Sequence, residues 1–211
     1  GAPHRQDSPA NPARYFNSAF LVGPDGKIRD KYDKQHLVPF GEYIPLRKIL
    51  PLPGPLVESI GDFSAGRFSG PLQNGKTSLG VLICFESIFP EIARQHTAAG
   101  ANLLVNITND AWFGRSSAPR QHLAMAVLRA VENRRSLARA ANTGISAFIT
   151  PDGRITSFSP LFEQYSITEQ VILFANRTVF THYGGHWFAF VCLIGVALLI
   201  LFCRPGKKPL A

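Results

Sequence analysis

The 211-residue sequence is short of cysteine, methionine and acidic side chains. Its cysteines, Cys84, Cys192 and Cys203, are odd in number and far apart, which excludes a disulfide scaffold. Neither CxxC nor HExxH occurs, so no structural or catalytic zinc is expected. Asp and Glu number 14 against 22 Lys and Arg, a formal net charge of +8, and no acidic residue follows Glu169. What the chain has in quantity is apolar. Hydrophobic residues make up 45% and there are 16 Phe, a composition that excludes a disordered chain. The length suits one domain with a full core, plus an appendage.

The appendage is visible as an uncharged run, WFAFVCLIGVALLILFC, from Trp187 to Cys203. At about 1.5 Å per residue it reaches roughly 25 Å, the short end of what crosses a bilayer. Trp187 opens the run and Arg204, Lys207 and Lys208 follow it. Because basic residues gather on the cytoplasmic side, the expectation is a domain over 1–185 outside the membrane, one transmembrane helix over 186–204, and a cytoplasmic tail over 205–211. The start, GAPHRQDSPA, has neither Met nor a signal pattern. The chain is therefore expected to be the C-terminal part of a longer protein. The positive charge then points to lipid head groups rather than nucleic acid. Arg115, Arg120, Arg129, Arg134, Arg135 and Arg139 read as the solvated face of a helix.

Residues 1–14 read as loop. Ala19–Ile28 (AFLVGPDGKI) and Ala147–Ile155 (AFITPDGRI) each place a Pro-Asp-Gly turn after an apolar strand, so both are expected hairpins. Residues 39–75, dense in Pro and Gly, predict a long irregular segment, a lid or a dock over 46–75. SLGVLICF (Ser78–Phe85) and ANLLVNIT (Ala101–Thr108) predict buried strands flanking a helix over Pro90–Ala99. Apolar spacing over 119–140, Leu137 included, predicts a helix. Strands alternating with helices, together with hairpins, indicate an α/β layered sheet.

Three places could carry chemistry. Cys84 ends a predicted strand, where α/β enzymes place reactive groups, with Glu86 expected on the same face if the strand continues. Taken alone, Cys84 suits a buried small hydrophobe better than a nucleophile. Lys34 and Glu42, in KYDKQHLVPFGEYIP, could set an ammonium beside a carboxylate to stabilise an oxyanion; each also suits an ordinary surface position. The aromatic pair in NDAWFG (Asn109–Gly114) could wall a pocket or anchor a loop.

KQHLVPFGEYIP, VLICFESIFPE and LVNITNDAWFG, in this order, resemble the carbon–nitrogen hydrolase (nitrilase) superfamily, and within it the membrane-embedded apolipoprotein N-acyltransferase branch. ENRRSLARAANTGISAFITPDGRI and the terminal apolar run fit as well, and the resemblance covers most of residues 14–203. It implies a nitrilase-like αββα sandwich, present in part. It implies a Glu–Lys–Cys triad in which Cys84 is the nucleophile and Lys34 the lysine. Glu42 would be a second essential glutamate. Glu86, Phe85, Pro45 and Trp112 would be supporting or substrate-binding. The implied reaction moves an acyl chain from a phospholipid, phosphatidylethanolamine for preference, through a cysteine thioester to the α-amino group of a diacylglyceryl-lipoprotein. No cofactor or metal is implied, and a monomer is expected. The implied setting is a bacterial inner membrane, with the catalytic domain in the periplasm. The family's base is a glutamate ahead of the lysine, and none of the 33 residues before Lys34 is Glu, so this stretch alone is expected to be inactive. Two other readings stand beside it: a membrane-tethered amidase in which water takes the thioester, and a non-catalytic lipid- or lipoprotein-binding protein.

Overall fold

A computed structural model describes residues 1–8, 11–45 and 63–202. Two sheets form its frame. The first is antiparallel, in the order β1 (Ala2–Ser8), β2 (Asn11–Val22), β3 (Ile28–Asp33). The second has six strands in sequence order: β4 (Leu72–Asn74), β5 (Thr77–Ile83), β6 (Leu103–Asn109), β7 (Ser136–Asn142), β8 (Ala147–Ile149) and β9 (Ile155–Phe158). Its centre, β5–β6–β7, is parallel; the pairs at either side are antiparallel. Parallel neighbours need crossovers. These are α1 (Pro90–Ala98) between β5 and β6, and α2 (Ala118–Asn133) between β6 and β7.

The pleat of β5 explains the layering. Leu82 faces α1 and α2, in a core with Ile92, Ala93, Leu104, Leu123, Ala126, Ala130 and Leu137. Its neighbours Val81 and Ile83 face the other way, against Ala19 and Tyr32 of the three-stranded sheet. The described layers are thus helix, sheet, sheet, the α/β layering that a partial αββα sandwich would give. Gly80 permits the close helix contact, since a Cβ there would sit 2.9 Å from the His96 Cβ on α1.

Both expected hairpins form, as β2–β3 and β8–β9. Several other expectations change. Residues 2–8 and 11–14, expected as loop, are strand, because β1 pairs along β2. The strand expected to run to Phe85 stops at Ile83, and Cys84–Ile88 forms a 3-10 turn. The helix expected over 119–140 ends at Asn133. Arg134 turns left-handed, at φ +51°, and the remainder becomes β7, whose Leu137 enters the core from a strand. The arginines do not make one solvated face: Arg129, Arg135 and Arg139 are buried. Most of the 46–75 segment lies outside the described residues, apart from the stretch from Phe63 onward that includes β4.

After a long irregular return, α3 (Val179–Tyr183) packs on α1 and α2, and α4 (His186–Phe202) follows. The Arg94 guanidinium of α1 donates to the Thr181 carbonyl at 3.0 Å and pairs with Glu91 at 2.6 Å. The crossing helix expected over 186–204 is corrected here: among the described residues no helix is long and apolar enough to cross a membrane. α4 has 17 residues, beginning after Gly184 and Gly185, and none of them is buried.

Candidate active site

Cys84 follows directly on β5, at the carboxyl edge of the parallel strands. Its φ is +52°, in the left-handed region, which costs a non-glycine residue roughly 1–2 kcal/mol. The inversion ends the strand and starts the 3-10 turn, leaving Cys84 half-buried against the core that includes Tyr32 and Ile83. Strain of this kind persists only where surrounding contacts hold it.

Lys34 lies immediately beyond β3, and its side chain is 1% exposed. Its Nζ donates to Glu42 Oε2 at 2.7 Å. Glu42 is held in turn by the Val38 N–H at 2.8 Å and the Asn17 amide at 2.9 Å. The ammonium and carboxylate proposed from sequence are therefore paired. An ammonium has three donors and Glu42 takes one of them.

Glu86 joins this half of the site to the cysteine turn. It is fully buried. Its Oε2 accepts from the Ile83 N–H at 2.7 Å, just ahead of Cys84. Its Oε1 accepts from the N–H groups of Gln35 and His36, at 2.7 and 3.2 Å, just past Lys34, and from the Tyr32 hydroxyl at 2.9 Å. Burial pushes the Glu86 carboxyl above its usual range, against these donors, and burial with the adjacent carboxylate pushes the Tyr32 hydroxyl well above its own. Glu86 thus fastens two segments that are 50 residues apart.

The other expected residues take lesser places. Phe85 meets Phe89 edge to face at 5.2 Å, and Phe89 stacks on His36 at 3.7 Å. Burial, then the Lys34 charge, lowers the His36 pKa. Trp112 is 65% exposed on the 3-10 turn after β6, and its neighbour Phe113, also exposed, meets the His122 ring edge to face at 5.7 Å. Pro45 is half-buried three residues beyond Glu42, at the end of a described stretch. A cleft of about 340 Å³ opens beside Lys34, lined by Gln35, His36, Leu37, Tyr43, Phe63 and Ala65.

Sequence reasoning missed a buried polar cluster under the cysteine turn. Asp110, after β6, accepts from Thr108 Oγ1 at 2.8 Å and from Arg139 Nη2 at 2.7 Å, and lies 3.0 Å from His122 Nδ1. Arg139 also bonds Asn106 and the Ile145 carbonyl. Burial opposes the Asp110 charge, but His122, Arg139 and Thr108 outweigh it and hold the carboxyl below its usual range. Gly144 leaves space for that carboxylate, into which any Cβ would run. The available signal was Asp110 inside NDAWFG and a lone His at core spacing on α2.

This geometry can be compared with known proteins. An apolipoprotein N-acyltransferase of Geobacter metallireducens is 51% identical over 195 residues, covering 92% of this chain and 37% of that protein. One from Bdellovibrio bacteriovorus is 38% identical, over 88% of this chain and 35% of that protein. The chain thus spans little more than a third of either relative. Among solved structures, a nitrilase-superfamily member from Saccharomyces cerevisiae aligns with a TM-score of 0.57 at 21% identity, over 78% of this chain and 56% of the other. An amidase from Nesterenkonia sp. AN1, with acrylamide added at its active-site cysteine, aligns at 0.52 with 25% identity, over 75% and 57%. Residues 1–172 match the carbon-nitrogen hydrolase family as a whole, and the chain belongs to that family.

Proposed function

We propose that this chain carries the thioester-forming site of an apolipoprotein N-acyltransferase. The reading is carried by Cys84, inverted at the carboxyl end of β5 and fastened through Glu86 to the buried Lys34–Glu42 pair. The 51% identity to a protein of that name supports the choice within the family. In the first half-reaction Cys84 Sγ bonds to the ester carbonyl of a phospholipid, phosphatidylethanolamine for preference. The Lys34 ammonium stabilises the oxyanion. The carbon–oxygen bond then breaks, and a lysophospholipid leaves with the thiol's proton. In the second half the α-amino group of a diacylglyceryl-cysteine attacks the thioester, forms the amide and returns the thiol. This is ping-pong covalent catalysis.

The setting belongs to the same proposal. α4 is apolar on every side and buries nothing against the protein, so a lipid environment suits it. We place the protein at a bacterial inner membrane, with the catalytic domain periplasmic and α4 against lipid. The test is mass spectrometry of the full-length protein held in phospholipid without lipoprotein. An acyl increment is expected on the peptide containing Cys84, cleared by diacylglyceryl peptide and absent in Cys84→Ser. Clearance by water at the same rate would make the protein an amidase-type hydrolase; no increment on folded protein would leave a binding protein.

A further inference from the structure

The Cys84 turn has a second support that the reaction above does not use. It comes from α2, whose His122 and Arg129 lie seven residues apart on one buried face. His122 Nε2 is 2.8 Å from Ser87 Oγ and 3.2 Å from the Cys84 carbonyl oxygen. Ser87 Oγ donates to the same carbonyl at 3.1 Å. Arg129 Nη1 donates to the carbonyls of Ile88 at 2.8 Å and Ser87 at 3.3 Å. The carbonyls of Cys84, Ser87 and Ile88 are thus gathered on one helix.

Nε2 faces both Ser87 Oγ and the Cys84 carbonyl, and because a carbonyl only accepts, it is the tautomer with hydrogen on Nε2 that holds Cys84. The far side of the ring allows it. Nδ1 has a carboxylate oxygen of Asp110 at 3.0 Å and the Arg139 Nη2 donor at 3.1 Å, so it is satisfied with or without its own hydrogen. Asp110 and Arg139, both with fully buried side chains, are paired at 2.7 Å and fix the ring's seat. Phe113 closes the ring's edge at 5.7 Å.

We infer that His122 is a positioning residue for the nucleophile: seated on Asp110 and Arg139, it holds the Cys84 carbonyl and so keeps the left-handed turn that presents Sγ at the strand end. The inference rests on Cys84 being the reactive thiol. Without the Nε2 donor, a half-buried cysteine at φ +52° can relax toward extended backbone, which turns Sγ away from the oxyanion site.

The experiment uses full-length protein in phospholipid and two readouts, the rate of acyl-adduct formation and the rate of Cys84 alkylation by iodoacetamide. His122→Ala is expected to slow both by about a hundredfold, the loss a small misplacement causes, with KM for the phospholipid little changed. His122→Gln, which keeps an N–H donor, is expected to recover most of both rates. A folded His122→Ala with parental rates overturns the inference, and so does an equal loss in Gln and Ala. Where Ala does not fold, Ser87→Ala carries the test, with about tenfold slowing expected and no slowing counting against. A parent protein that forms no acyl adduct overturns the functional reading instead, and the alkylation rates alone then decide His122.

Discussion

The Lys34–Glu42 pair is buried deeply enough that its halves cannot be removed independently at small cost. Glu42→Leu strands an ammonium that is 1% exposed, and loss of one partner of such a pair costs about 3–5 kcal/mol. The double variant Lys34→Met/Glu42→Leu is expected to regain most of that stability and none of the acyl transfer; thermal melts beside adduct assays separate the two effects. His96 offers a pH test. It is fully buried between Tyr32 and Phe68, each ring 5.1 Å away, and among the described residues its ring nitrogens find no side-chain partner. Burial, weakly opposed by the Val81 backbone, lowers its pKa to about 4. The folded state thus refuses a proton that the unfolded chain takes below about pH 6.5. Stability should be undiminished above that pH and fall by about 3 kcal/mol as pH drops toward 4. His96→Phe is expected to flatten that fall in melts taken across the range.

At the scale of elements, α4 is the sharpest case. Its residues include Phe188, Leu193 and Phe202, at 64, 68 and 85% exposure, an arrangement that water does not support and hydrocarbon does. Ile194→Arg, near its midpoint, is expected to weaken the hold of α4 on lipid by about 2.5–3.5 kcal/mol, read in vesicles as faster alkylation of Cys192 by an aqueous maleimide. Equal alkylation with and without the substitution would place α4 against protein. The same scale shows what sequence could and could not reveal. β5, α1 and both hairpins were legible because their apolar runs and turn residues are local. The helix drawn through residue 140 was not, because Leu137 keeps helical spacing while its partner across the ladder, Leu104, comes 33 residues earlier. Lys34, Glu42 and Cys84 sit in compact motifs. His122 was hidden because its partners come from a loop, a strand and a turn 12 to 38 residues away.

For the whole molecule, the location of the two halves of the site matters more than either half. Cys84 follows directly on β5, the strand that both cores share, and Lys34 lies just past β3 of the separate three-stranded sheet. Across that boundary the site's polar connection is the Glu86 carboxylate, with Tyr32 beside it. Loss of activity and loss of fold are consequently different events. A slip between the sheets would part the cation from the thiol while the parallel strands and their helices stay intact. On the proposed reading, denaturant or detergent would then stop acyl-adduct formation at Cys84 reversibly, with the helical signal undiminished.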